Sequence, residues 1–98
     1  MILGKVTARV VATLKHPAFR HYGLLAVRPL HLSGEEKDGG VIVAINAAQA
    51  GIGDVVLVNQ EGKSARAIVG IKDAPIRSVI VGVVDHWEEN GNTHRAPK

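Results

Sequence analysis

Residues 47–58 read A-A-Q-A-G-I-G-D-V-V-L-V, a glycine pair set directly before an apolar run. A phosphate-binding loop aims its backbone N–H groups at the phosphates and normally opens a helix directly after its glycines. Here Gly53 is followed by D-V-V-L-V, which is strand sequence, with neither a Gly-Lys-Ser/Thr ending nor a G-x-G-x-x-G spacing. A turn is the simpler assignment: Gly51 and Gly53 supply positive backbone angles, or room for close approach where two strands meet.

Outward from this turn the chain continues as strands. V-I-V-A-I-N (41–46) is apolar on alternate residues of both parities, which predicts a strand covered on both faces, and D-V-V-L-V-N (54–59) predicts its successor. Near the start, Ile2, Val6, Ala8, Val10 and Ala12 share one face of a period-two pattern, opposite Lys5, Thr7, Arg9 and Thr13. Pro17 ends that strand, and K-H-P-A-F-R-H-Y-G (15–23) reads as a surface loop. A second strand is expected over Leu24–Leu32, at an edge or bulge near Pro29, followed by the polar turn S-G-E-E-K-D-G-G (33–40). S-V-I-V-G-V-V-D (78–85) predicts the last strand. Between residues 61 and 77, Ser64 could cap one short helical turn, and Asp73 with Pro75 could start another. Five strands and almost no helix predict an all-β fold, a small antiparallel barrel or sandwich. The expected division is one barrel domain over residues 1–86 and a polar, loosely held tail over 87–98.

Composition narrows the function classes. Ninety-eight residues suffice for one domain that gains from association with copies of itself, and 46% apolar residues exclude a disordered chain. Phe19, Tyr22 and Trp87 are the only aromatic side chains, so the core must be aliphatic. The absence of cysteine removes disulfides, zinc–thiolate sites and thiol nucleophiles, and fits a reducing compartment. No run reaches the ~18 apolar residues of a membrane span, and Lys5 and Arg9 interrupt any signal-peptide pattern. A soluble, intracellular protein is expected. The net charge of +3 permits nucleic acid as a partner without demanding it.

Catalytic constellations are not evident. His16, His21, His31, His86 and His94 are scattered, and none pairs with another at the i, i+4 spacing of a zinc hydrolase. Asp54, Asp73 and Asp85 fall beside strand or turn ends, where aspartate ordinarily bonds nearby backbone N–H groups. Ser64 lies in K-S-A-R, which is no nucleophile elbow. The sequence therefore predicts no enzyme, no cofactor and no metal. H-P-A-F-R-H-Y (16–22) has the ingredients of a base-stacking surface, with Phe19 and Tyr22 beside Arg20. Two aromatics in one loop make a thin platform, and a plug for a barrel end or a subunit interface is the favoured alternative.

The order of these motifs resembles the bacterial microcompartment vertex family, the ethanolamine-utilisation and carboxysome pentamer proteins. The pieces that carry the resemblance are M-I-L-G-K-V-T-A-R-V-V-A-T-L-K-H-P (1–17), G-L-L-A-V-R (23–28), V-A-I-N-A-A-Q-A-G-I-G-D-V-V-L-V (43–58), S-A-R (64–66) and I-V-G-V-V-D (80–85). The resemblance implies a five-stranded barrel of the oligonucleotide-binding (OB) type with short helical turns. It implies a cyclic homopentamer that catalyses nothing and closes the five-fold vertices of a cytoplasmic shell built mainly from hexameric tiles. The expected partners are further copies of the chain and hexameric shell proteins, not a membrane. A single-stranded nucleic-acid binder of the same barrel type is the alternative. By the same resemblance, Gln49, Ala50, Gly51, Ile52, Gly53 and Asp54 form an axial loop at subunit contacts, with Asp54 bonding a turn, and Ser64 and Arg66 match the family's Ser-Ala-Arg element. Arg66 would fix that segment through a hydrogen bond or ion pair. Three positions depart from the family pattern: Asn46 stands where an acid is usual, Gln49 where a glycine is usual, and Lys63 where a small hydroxyl is common.

Overall fold

The computed structural model describes residues 1–11, 23–60 and 78–97. Five strands, β1 (Ile2–Val10), β2 (Gly23–Pro29), β3 (Ile42–Asn46), β4 (Val55–Asn59) and β5 (Val79–Val84), close a barrel in the order β1-β2-β3-β5-β4. Four neighbouring pairs are antiparallel, but β3 and β5 run parallel, matched at Ile45↔Val79 and Asn46↔Ile80. A parallel neighbour cannot be reached by a tight turn and needs a crossover of a dozen or more residues. The chain from Ala47 to Ser78 is that crossover, and β4 lies within it. The expected five-stranded barrel is therefore present, with one parallel seam where an all-antiparallel barrel was expected; the arrangement is compatible with the OB type. None of the described residues is helical, and the turns expected at Ser64 and at Asp73–Pro75 lie outside them.

The interior is aliphatic. Val6, Leu25, Val27, Ala44, Val56, Val58 and Ile80 form one buried cluster, to which Ala50 adds from the loop after β3. Alternation puts the neighbouring side chains on the other face. There Leu24, Ile45 and Val79, in register across β2, β3 and β5, are buried as well. The two-faced cover expected of β3 thus holds at Ala44 and Ile45. It does not reach the start of the strand, where Val41 and Val43 are 44% and 40% exposed.

Two strand expectations change. In β1 the register against β2 shifts between Val6 and Ala8. A bulge turns the following side chains to the opposite face, so Val6 is buried, Ala8 is exposed and Val10 is half-buried, where one continuous inward face was expected. β2 stops at Pro29, short of Leu32, where proline has no N–H to add to the ladder; beyond it the Leu30 N–H donates to the Leu3 carbonyl at 2.8 Å and Leu30 forms an isolated bridge to Glu36.

The tail beyond the barrel is not loosely held. His86–Glu89 (β6) and Asn92–Arg95 (β7) pair as a hairpin. Asn90 and Gly91 both take positive φ, 50° and 81°, the two-residue turn whose twist suits a hairpin. Trp87 stacks on His94 with ring centroids 5.3 Å apart, and its indole Nε1 donates to the Leu32 carbonyl at 2.7 Å. The Ala96 N–H donates to the Asp85 carbonyl at 2.9 Å and closes the base.

Candidate functional site

The loop from Ala47 to Asp54 leaves β3 at the parallel seam and enters β4. Asn46, the last residue of β3, holds its far side. The Asn46 Nδ2 donates to the Ala50 carbonyl at 2.9 Å, and its Oδ1 accepts the Ala50 N–H at 2.9 Å. One amide side chain therefore satisfies both backbone groups of a buried residue, as a strand partner would. At the near side, an Asp54 carboxylate oxygen accepts the Gly51 N–H at 2.7 Å, while the Asp54 N–H donates to the Gly51 carbonyl at 3.1 Å. The loop is tied to β1 as well: the Gly53 N–H donates to the Val6 carbonyl and the Val6 N–H to the Asp54 carbonyl, both at 2.9 Å.

These bonds decide between cradle and turn. The N–H groups of Ala50, Gly51, Gly53 and Asp54 are all committed within the chain. A phosphate-binding loop needs such groups free and converging. The segment is a turn that joins two strands of a closed barrel.

The expectation for the glycines is met at one position and corrected at the other. Gly53 has φ 94°. Gly51 has no positive φ, and a methyl group on it would make only an ordinary 3.8 Å contact with the Asp54 carboxylate. The second left-handed residue is Gln49, at φ 55°, which the sequence reading assigned no backbone role. Ala50 turns inward to the core while Ile52, at the loop tip, is 60% exposed. Asp54 bonds a turn as expected. Asn46 was read only as a departure from a pattern; an amide at the end of a strand, four residues before a buried alanine, was the available signal for its clamp. Ser64 and Arg66 lie outside the described residues, as do Lys63, Phe19, Arg20, Tyr22, His16 and His21.

Catalytic geometry is not assembled among the described residues. His31 and His86 are exposed, His94 stacks on Trp87, and Asp85 is exposed at the hairpin base. No three histidine, aspartate or glutamate side chains among the described residues approach closely enough to share a metal ion.

Known proteins carry the same pattern. The family model described as "Ethanolamine utilisation protein EutN/carboxysome" matches residues 1–85. The chain is 36% identical over 88 residues to the bacterial microcompartment shell vertex protein PduN of Salmonella typhimurium strain LT2, covering 87% of this chain and 96% of that one. It resembles the solved structure of the ethanolamine utilization protein EutN from Escherichia coli with a TM-score of 0.78 and 33% identity, over 95% of this chain and 94% of that one. The pentameric microcompartment shell protein GrpN from Rhodospirillum rubrum is similar with a TM-score of 0.77 and 35% identity, over 91% and 99% of the two chains.

Proposed function

The chain belongs to the EutN/carboxysome family, and from that premise we propose that it is a non-enzymatic shell protein whose five copies close a ring at the vertices of a bacterial microcompartment in the cytoplasm. The observation that carries this reading is the end-to-end match to a relative named as a shell vertex protein, 96% of whose length is covered. A protein built only to be a tile needs complementary faces and no reactive centre.

The barrel supports the same conclusion physically. Ring closure gives every barrel strand a neighbour on both sides over part of its length and leaves little edge for strand addition, so copies would meet mainly through side-chain faces and loops. A contact between two different faces of identical subunits either closes into a ring or runs on as a filament. The Gln49–Asp54 loop, with Ser64 and Arg66, is the proposed subunit contact near the ring axis. The partners that complete the shell would be hexameric tiles.

The deciding experiment is the native mass of the purified protein by mass spectrometry and light scattering over a range of concentrations. A persistent five-subunit species is the expected result. A folded protein that remains monomeric when concentrated would overturn the proposal.

A further inference from the structure

The axial-loop candidate combines an exposed apolar tip with a backbone that is bonded at both ends. Ile52 is 60% exposed, whereas Ala50, two residues earlier, is buried in the core. Short loops that present an apolar residue to water gain nothing from order unless something fixes them. Here that fixture is Asn46. Its amide pairs with both the N–H and the C=O of Ala50 at 2.9 Å, so the side chain acts as one more rung of ladder beyond the end of β3. Asn46 also sits opposite Ile80 at the parallel seam, where the barrel closes. Clamp and seam therefore share one residue.

We infer that Asn46 is the positioning residue that sets the Gln49–Asp54 loop in its binding shape before assembly, so that a second copy of the chain meets a preformed surface. The inference rests on the reading of this loop as a subunit contact. Preorganisation matters because ordering a loop during association subtracts directly from affinity. The chemistry is specific to a carboxamide, which offers a donor and an acceptor side by side. A carboxylate of the same shape accepts from the Ala50 N–H but opposes the Ala50 carbonyl with a second oxygen, and alanine offers neither group. Asp54, on the other side of the loop, already supplies the acceptor that the Gly51 N–H needs, so the two latches are separate and individually testable.

The test uses the full chain with Asn46→Asp, Asn46→Ala and Ile52→Glu, read by amide hydrogen exchange and by native mass. Asn46→Ala should speed exchange of the Ala50 N–H by about tenfold or more, since its acceptor is lost. Asn46→Asp should speed it by less, because the carboxylate still accepts that N–H while it repels the Ala50 carbonyl. Both variants should also raise the concentration at which the assembly comes apart. In Asn46→Asp the protection of Ala50 should return as pH falls below about 4, where the carboxyl gains the proton it must donate. Arg9 is the charged residue among those that line the cleft around residue 46, and a cation there favours the ionised carboxyl. A merely space-filling role would not produce that recovery. Ile52→Glu should leave Ala50 protected and weaken assembly. Unchanged Ala50 exchange in Asn46→Ala overturns the clamp. Unchanged assembly in Ile52→Glu, with Ala50 exchange raised in Asn46→Ala, overturns instead the placement of the loop at the contact.

Discussion

At Gly53 the backbone stands at φ 94°, where a Cβ collides with the neighbouring peptide, and its N–H is bonded to Val6. Gly53→Ala should therefore cost about 1–2 kcal/mol of stability. Gly51→Ala, two residues earlier in the same loop, should change stability by less than about 0.5 kcal/mol, because its φ is ordinary and the added methyl finds open contact. Urea melts of the two variants side by side check both expectations, and equal losses would contradict them. The contrast shows what a residue type discloses. A glycine pair announces a turn, but which glycine carries the left-handed angle depends on the exact exit direction of β3. Gln49 takes one such position itself at φ 55°, against its own preference, because the Asn46 amide fixes the residue beside it.

Elements are legible where their period is undisturbed. β3, β4 and β5 follow from unbroken apolar runs, and the structure places them within a residue or so of the expected bounds. β1 is legible as a strand but not in which residues it buries, since its bulge leaves no mark on composition and reverses the faces partway along. The C-terminal hairpin was masked for a different reason. Its strands are short and polar, so hydrophobic alternation is silent, although Asn90-Gly91 is the commonest two-residue hairpin turn. What holds the hairpin down is one tryptophan. Trp87→Phe keeps one ring to stack on His94 but deletes the donor to the Leu32 carbonyl together with the second ring of the indole, which should loosen docking by about 1 kcal/mol or more. Amide exchange at Ala96 should quicken roughly fivefold while Val56, deep in the barrel, keeps the parent rate. Equal acceleration at both sites would mean that the hairpin and the barrel open as one unit.

For the whole molecule, the family resemblance supplied what periodicity could not: the proposal that this barrel is one tile among copies. The feature of the single chain that suits such a role is exposed apolar surface, as at Val41, Val43, Val81, Val83 and Ile52, all more than a third exposed. The parallel seam, by contrast, had no signature in any one segment, because pairing between β3 and β5 is decided by where the crossover returns. If five copies share a ring and unfold only as they separate, the free energy of unfolding per subunit carries four-fifths of RT ln of the concentration. A hundredfold dilution then removes about 2 kcal/mol per subunit, which for a chain of this size lowers the melting midpoint by roughly 10 °C. A dimer would lose a little over half as much, and a monomer nothing. Differential scanning fluorimetry at concentrations two decades apart reads the difference directly. A midpoint that holds still across that range would show that each barrel is stable on its own account, and would leave the exposed valines to some partner other than a second copy.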